Sequence, residues 1–174
     1  MDPLDIAQRI RAIPDFPSPG IVFRDITTVL ADPVAWPRTI ELMAEGVGEL
    51  DVDVVVGIES RGFLLGAPMS IALGAGFVPV RKRGRLPAAT HSVSYELEYG
   101  IDELEIHRDA LGPDRRVLVV DDLLATGGTA AAATELVHRS RAAVVGYSFL
   151  IELRGLRGRD RLAAGTPVAA LVVE

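Results

Sequence analysis

The chain contains no cysteine among its 174 residues, which excludes disulfide bonds and any metal site with thiolate ligands. It has only three histidines, and their positions match no metal-binding pattern. Apolar runs stay well short of the ~20 residues that a membrane-spanning helix needs. The acidic, amphipathic start of the sequence differs from a signal peptide. We therefore expect a cytoplasmic protein with no membrane partner.

Positive charge is also scarce, because the formal net charge is −6 and the isoelectric point is about 5.1. This balance argues against a general nucleic-acid binder, so we expect no nucleic-acid partner. Lysine occurs once, at Lys82, inside the run RKRGR from Arg81 to Arg85. The run follows a predicted strand and precedes a long polar segment. This position favours an anion-binding role over the alternative that the cations are only solvated surface residues.

Apolar residues are abundant, at 49%, which allows a sizeable core within one domain spanning residues 1–174. Uniformly apolar segments that predict strands alternate with helical patterns, as in a parallel sheet covered on both faces. We therefore predict an α/β fold with a mostly parallel, twisted sheet flanked by helices. The predicted strands are 52–58, 76–80, 116–122, 142–153 and 167–173. The predicted helices are 4–13, 32–50, 61–75, 128–140 and 158–164.

Two segments interrupt this alternation. Prolines and a glycine break the pattern after residue 13, and a short strand or ordered loop is predicted over 21–30. Residues 84–111 are polar, with weak strand patterns on either side of a Tyr-Gly turn. A long excursion inside a compact α/β domain is usually a functional loop or a lid.

The stretch VLVVDDLLATGGTA, from Val117 to Ala130, places two aspartates where a buried strand is predicted to end. Ligands of open α/β sheets bind beyond the carboxyl ends of the strands. Asp121 and Asp122 repel phosphate, so we expect them to accept hydrogen bonds from a donor such as adjacent sugar hydroxyls. The alternative is that the two aspartates are only turn or helix-cap residues. The ATGGT stretch and the predicted helix that follow favour a binding role instead.

The loop after the aspartates has the composition of a phosphate cradle. Gly127 and Gly128 permit a positive φ and a close approach of a ligand to the backbone. Backbone N–H groups at the start of the following helix bind anions, and the hydroxyls of Thr126 and Thr129 add donors. The loop lacks the lysine of a Walker A motif and the spacing of a dinucleotide-binding motif. A phosphate next to a vicinal diol describes a ribose 5-phosphate.

This stretch resembles the phosphoribosyl pyrophosphate (PRPP) motif of type I phosphoribosyltransferases. The resemblance implies that Asp121 and Asp122 hold the ribose, and that Ala125 to Thr129 hold the 5-phosphate. Three further stretches resemble the adenine-specific members of that family: 16–30, 57–87 and 95–111. The resemblance implies the type I fold, with a small N-terminal hood over about residues 1–32 and a flexible catalytic loop over about 84–111. It also implies a homodimer that converts adenine and PRPP to AMP and pyrophosphate.

The start of the helix predicted at residue 61 suits a diphosphate, because a guanidinium and helix-terminal N–H groups meet there. The resemblance assigns Ser60 to pyrophosphate binding and Arg61 to catalysis, and it implies a cis peptide between Glu59 and Ser60. Mg²⁺ is expected to arrive on PRPP oxygens and water, so no protein ligand to a metal is predicted. Three cations of the RKRGR run are implied to bind pyrophosphate as well: Arg81, Lys82 and Arg85.

The base-binding and proton-transfer residues rest on the resemblance. Glu98 is implied to be catalytic, handling the proton at N7 of adenine while N9 attacks, and Tyr99 beside it is implied to contact substrate. Phe23 is suited to stack on a purine. The residues implied to surround the base are Val22, Phe23, Arg24 and Leu123.

Two alternatives remain open. One is the same reaction on a 6-oxopurine, whose oxygen needs a facing donor, often a lysine; the only lysine here is Lys82, in the run implied to bind pyrophosphate. The other is a non-catalytic regulator that senses PRPP. Such a protein usually adds a DNA-binding domain or a basic face, and this acidic chain offers neither.

Overall fold

A twisted sheet forms the centre of the computed structural model, which describes residues 1–97 and 100–174. The helices are α1 (Pro3–Ala7), α2 (Thr27–Leu30), α3 (Ala35–Glu45), α4 (Arg61–Leu73) and α5 (Gly128–Arg139). The strands are β1 (Arg11–Pro14), β2 (Val22–Asp25), β3 (Val54–Ile58), β4 (Gly76–Lys82), β5 (Thr90–Leu97), β6 (Gly100–His107), β7 (Arg116–Leu124), β8 (Ala143–Glu152) and β9 (Val168–Val173). Two 3₁₀ turns lie at Arg154–Leu156 and Gly158–Arg161.

The main sheet has seven strands in the order β5-β6-β4-β3-β7-β8-β9. Its last five strands, from β4 to β9, are parallel to their neighbours. Strands β6 and β5 extend this sheet in antiparallel fashion at one edge. The predicted mostly parallel sheet flanked by helices is therefore confirmed. Strands β1 and β2 form a separate antiparallel pair near the N-terminus.

The central strands are buried on both faces, which explains their uninterrupted apolar sequence. Val119 belongs to the core under α5, where Leu136 is fully buried. Val120, the next residue of β7, belongs to the other core, which includes Leu65 of α4. Successive side chains of a strand point to opposite faces, so β7 contributes to both cores.

Three glycines let α4 lie very close to the sheet. A Cβ on Gly57 would lie 2.7 Å from the Phe77 ring, and one on Gly66 would lie 3.0 Å from the same ring. A Cβ on Gly62 would lie 2.9 Å from the carbonyl oxygen of Val120. This close packing carries the first turn of α4, with Arg61, to the carboxyl edge of β7.

The helix predicted over 4–13 is wrong in its second half. Helix α1 ends at Ala7, and Arg11 to Pro14 form β1, paired with β2. Arg11 Nε donates to Asp25 Oδ2 at 3.0 Å, which joins the two strands. Hydrogen bonds from Thr27 and Arg11 lower the pKa of Asp25 to about 2. A ten-residue helix is marginal on its own, so strand pairing overrides its apolar period.

Residues 84–111 contain more regular structure than the predicted loop. Strands β5 and β6 pair along their whole length, and β6 pairs with β4 at Arg81 and Lys82. The hairpin also packs against α5, because an Arg139 guanidinium nitrogen donates to the carbonyl oxygen of Ser92 at 2.6 Å. The weak strand patterns predicted in this segment are thus two strands of the main sheet. Within the described ranges, no helix is long and apolar enough to cross a bilayer.

Replacing Gly57 by alanine should destabilise the fold by about 1–3 kcal/mol, because the new methyl group would overlap the Phe77 ring. Gly76→Ala is the matched control on the adjacent strand, since its Cβ would have ordinary contacts at 3.8 Å. Urea denaturation of the two variants measures the difference. Equal midpoints for both would contradict the packing described here.

Candidate active site

The two adjacent aspartates lie within β7, before its end. Strand β7 continues past the predicted boundary at residue 122 to Leu124, because its backbone stays paired with β8 as far as the match between Leu124 and Glu152. The carboxylates therefore sit on a rigid element, at the carboxyl edge of the sheet. The phosphate-type loop begins only at the following residue, Ala125.

Asp122 forms an ion pair with the first residue of α4. Its side chain is only 6% exposed, and its Oδ2 lies 3.0 Å from Arg61 Nε. The Arg61 guanidinium carbon also lies 5.0 Å from the centroid of the Phe23 ring, within the range of a cation–π contact. The Arg61 guanidinium thus contacts both Asp122 of β7 and Phe23 of β2.

Asp121 is held in an environment that disfavours its charge. Its Oδ1 accepts the backbone N–H of Asp122 at 2.9 Å. Burial raises the pKa of Asp121 well above its usual value, and the neighbouring Asp122 charge raises it further. Burial also raises the pKa of Asp122, although the charge of Arg61 opposes that shift. The two adjacent carboxylates therefore disfavour each other's charge, and among the described residues Arg61 is the cation that opposes this repulsion.

The loop after β7 lines a small pocket together with Asp121. The lining residues are Asp121 and Leu123 to Ala130. Gly127 has φ +80° and precedes the first turn of α5, where no side chain from the described residues forms a cap. Because the first N–H groups of a helix lack intrahelical partners, they are available to an anion in this pocket. The predicted phosphate cradle, Ala125 to Thr129, is thus contiguous with Asp121.

Cations of the RKRGR run are paired with acidic side chains. Glu59 accepts hydrogen bonds from Arg81, with nitrogen–oxygen distances of 3.3 and 3.2 Å, and from Arg85 at 2.6 Å. Burial tends to raise the pKa of Glu59, but these bonds and the backbone N–H of Lys82 outweigh it and lower that pKa. The Lys82 ammonium lies 2.9 Å from Asp102. The run is thus paired with carboxylates, although the Lys82 and Arg85 side chains stay 50% and 56% exposed.

The comparisons with known proteins agree with this geometry. Residues 37–164 match the model of the phosphoribosyl transferase domain. The chain belongs to the phosphoribosyltransferase family. It is 59% identical to the adenine phosphoribosyltransferase of a Synechococcus species, covering 97% of this chain and 98% of the relative. It is 57% identical to that of Trichormus variabilis, covering 97% and 99%.

Solved structures of the same family superpose closely. The adenine phosphoribosyltransferase of Thermoanaerobacter pseudethanolicus gives a TM-score of 0.96 at 49% identity, covering 99% of each chain. That of Saccharomyces cerevisiae, solved with adenine and an imino-altritol bisphosphate, gives a TM-score of 0.91 at 42% identity, covering 97% of each chain. The type I phosphoribosyltransferase fold expected from the sequence is confirmed.

Two other predicted site residues of this phosphoribosyltransferase, Ser60 and Leu123, lie before α4 and on β7. The cis peptide between Glu59 and Ser60 is present, and Ser60 is exposed directly before α4. Leu123 is half-buried on β7, next to the aspartate pair. Glu98 and Tyr99 lie outside the described residues.

The hood residues Val22 to Arg24 form β2. Val22 is exposed and the Phe23 ring is half-buried. Phe16 meets Phe23 edge-on, with ring centroids 5.2 Å apart. The Arg24 side chain points to Glu174, whose Oε2 accepts from Arg24 Nε at 2.7 Å. Because the Arg24 side chain is paired with Glu174, we expect only its backbone groups to contact a ligand.

Sequence reasoning missed the acidic residues that organise the cations. The sequence pattern points to Glu59 only through its peptide bond with Ser60, and it does not point to Asp102. Tyr95 of β5 was also missed, although its hydroxyl donates to Asp102 Oδ2 at 3.4 Å. No local sequence signal marks these residues, because their partners lie 7 to 26 residues away and meet them only through strand pairing or packing.

Asp121→Asn should raise the melting temperature at pH 8, by roughly 2–4 °C per kcal/mol gained. The amide keeps the acceptor oxygen but removes a charge that lies next to that of Asp122. Because burial raises the folded-state pKa, the stability linked to this carboxyl is present at low pH and lost as the pH rises through that pKa. The advantage of asparagine should therefore shrink as the pH falls.

Thermal melts between pH 5 and pH 8 measure this effect. Asp53→Asn serves as the control, because it weakens an ion pair with Arg116 and should not raise the melting temperature. An Asp121→Asn protein less stable than the unmodified one at pH 8 would contradict the described electrostatics.

Proposed function

We propose that this protein is an adenine phosphoribosyltransferase, which transfers the 5-phosphoribosyl group of PRPP to N9 of adenine and releases AMP and pyrophosphate. The observation that carries the proposal is the aspartate pair on β7, with Asp122 buried and Asp121 half-buried, followed directly by an anion-binding loop at the start of α5. The near full-length match to relatives that bear this name supports the choice of base.

The ribose and its phosphate occupy the end of β7. The carboxylates of Asp121 and Asp122 accept hydrogen bonds from the two ribose hydroxyls. The 5-phosphate accepts hydrogen bonds from backbone N–H groups of Ala125 to Thr129 and from the hydroxyls of Thr126 and Thr129. Diol donors relieve the charge repulsion between the two acids, which the charge of Arg61 opposes in the free protein.

Pyrophosphate binds between the start of α4 and the end of β4. Ser60, Arg61 and the helix-terminal N–H groups form one side. The other side is formed by three cations of the RKRGR run: Arg81, Lys82 and Arg85. These cations exchange carboxylate partners for phosphate oxygens, since Glu59 and Asp102 hold them in the free protein. Mg²⁺ arrives with PRPP as part of the substrate, because it prefers phosphate oxygens and water as ligands.

Adenine lies under the hood. The Phe23 ring stacks on the purine, Leu123 covers the other face, and the backbone at Val22 and Arg24 pairs with the edge of the base. Glu98 handles the proton at N7, and Tyr99 contacts substrate; this part of the proposal rests on the family resemblance alone.

The chemistry needs positioning and charge control more than covalent catalysis. Breaking the bond from C1 of ribose to pyrophosphate builds positive charge on the sugar and negative charge on the leaving group. The cations around pyrophosphate stabilise the leaving group, and the aspartates stay close to the charged sugar. The segment 84–111 serves as the cover that excludes water. PRPP carries several negative charges and does not cross a bilayer unaided, so we place the protein in the cytoplasm.

The reaction is tested by following pyrophosphate release from PRPP and magnesium with adenine, hypoxanthine, guanine and xanthine offered separately. We expect release with adenine and at least 100-fold lower kcat/KM with the three oxopurines. Preference for a 6-oxopurine would keep the PRPP site but overturn the base assignment. PRPP binding without release from any base would favour a sensing regulator.

The proposed homodimer has structural support in an apolar face of α4. The sequence of this helix carries no charge from Gly62 to Leu73. Leu64 and Ile71, seven residues apart on one side, are 46% and 83% exposed. A continuous apolar helix face is unusual on a monomer and suits a second copy of the chain.

Ile71→Glu should therefore shift the protein from dimer to monomer in sedimentation velocity. Leu4→Glu is the matched control, because Leu4 is 72% exposed but belongs to α1. An unmodified protein that sediments as a monomer, or a dimer that survives Ile71→Glu, would contradict this interface.

A further inference from the structure

The turn formed by Arg154 to Arg161 lies directly behind the phosphate loop. We propose that this turn is a positioning element for the 5-phosphate, with Gly158 as its contact point and the Arg159–Glu152 ion pair as its anchor. The proposal rests on the function proposed above, since it concerns the same phosphate site. It adds residues that touch no substrate and act through the loop.

Gly158 and the loop meet backbone to backbone. A Cβ on Gly158 would overlap the carbonyl oxygen of Ala125 and lie 2.8 Å from Leu124 Cδ1. A Cβ on Gly127 would overlap the carbonyl oxygen of Gly158 in return. Neither chain segment therefore has room for a side chain at this contact. Gly158 is buried although its neighbours in the turn are exposed.

An ion pair between the partly exposed Arg159 and the buried Glu152 fixes the turn to the sheet. Arg159 Nε and one terminal nitrogen donate to the two oxygens of Glu152, at 2.7 and 2.6 Å. The other terminal nitrogen donates to the carbonyl oxygen of Val168 on β9, at 3.1 Å. The Glu152 side chain is 4% exposed, and hydrogen bonds from Arg159 lower its pKa. This bidentate geometry holds the residue next to Gly158 at the end of β8.

The anchor and the loop are joined at a second point. Leu153, which follows Glu152, donates its backbone N–H to the carbonyl oxygen of Leu124 at 2.9 Å. The residue before the loop, Leu124, is thus hydrogen-bonded to the end of β8. Within the loop, the backbone of Ala125 and Gly127 packs directly against Gly158. A carbonyl displaced at Ala125 rotates the following peptide, which carries an N–H group that the phosphate needs. Sub-ångström displacements of such donors weaken binding.

The contacts of Gly158 predict that a change in the turn affects binding of the 5-phosphate and not of pyrophosphate. They involve Leu124, Ala125 and Gly127, all in or next to the phosphate loop. Arg61 and the RKRGR run, proposed to bind pyrophosphate, are held by Asp122, Glu59 and Asp102 instead. Disturbing the turn should therefore weaken ligands that carry a 5-phosphate and spare pyrophosphate.

Gly158→Ala and Arg159→Gln are the test variants, measured by calorimetric titration with ribose 5-phosphate and, separately, with magnesium pyrophosphate. Gly155→Ala is the control for the first, because no described atom lies within 4 Å of a Cβ built there. Arg157→Gln is the control for the second, because Arg157 pairs with the exposed Asp160 in the same turn. Circular dichroism establishes that each variant is folded at the titration temperature.

We expect Gly158→Ala to raise the Kd for ribose 5-phosphate at least tenfold, and Arg159→Gln to raise it at least threefold. Pyrophosphate affinity should change less than twofold in both, and the controls should change less than twofold throughout. A loss of both ligands to the same extent, or test variants indistinguishable from their controls, would overturn the proposal. If Gly158→Ala fails to fold, the Arg159→Gln comparison decides alone.

These titrations need no turnover, so they separate this inference from the proposed reaction. A selective loss of ribose 5-phosphate supports the positioning role even if no base is converted. In that case the reaction, and not the phosphate site, would be wrong. Where turnover is present, KM for PRPP and for AMP should rise in the test variants while KM for pyrophosphate stays unchanged.

Discussion

The ion pair between Arg61 and Asp122 is the contact on which the site depends. It opposes the repulsion between the adjacent carboxylates of Asp121 and Asp122, whose pKa values are raised chiefly by loss of solvent around them. The pair forms because α4 starts at the carboxyl edge of β7, which in turn requires glycines where the helix crosses the sheet. The hood completes the arrangement, since Phe23 of β2 covers the same guanidinium. The Arg61 side chain therefore links α4, the aspartate pair of β7 and Phe23 of β2.

Carboxylates also hold the remaining cations of the proposed pyrophosphate site. Glu59 gathers Arg81 and Arg85, and Asp102 holds Lys82. A buried or half-buried charge without a partner is costly, so these acids keep the cations ordered in the free protein. Substrate binding in this account exchanges one set of anions for another. The cations are already gathered at the end of β4, which reduces the ordering that binding requires.

Much of the architecture was predictable from the sequence, because apolar strands alternating with helices allow few folds. The strand and helix bounds in the parallel part of the sheet differ from the prediction by a few residues. The N-terminal helix was overextended, since its apolar period holds to residue 13 while pairing with β2 makes 11–14 a strand. Local sequence was enough to select the loop Ala125 to Thr129 and both aspartates as candidates, and the structure places them side by side. The roles of Glu59 and Gly158 were not, because their partners lie more than 20 residues away along the chain.

The most direct measurement is a crystal structure of the protein with adenine and ribose 5-phosphate bound together. The account predicts phosphate oxygens on the backbone N–H groups after Ala125, and ribose hydroxyls on Asp121 and Asp122. It also predicts the purine stacked on Phe23, with Arg61 displaced from that ring. A sugar phosphate bound away from β7, or a purine bound elsewhere while Arg61 stays over Phe23, would contradict it.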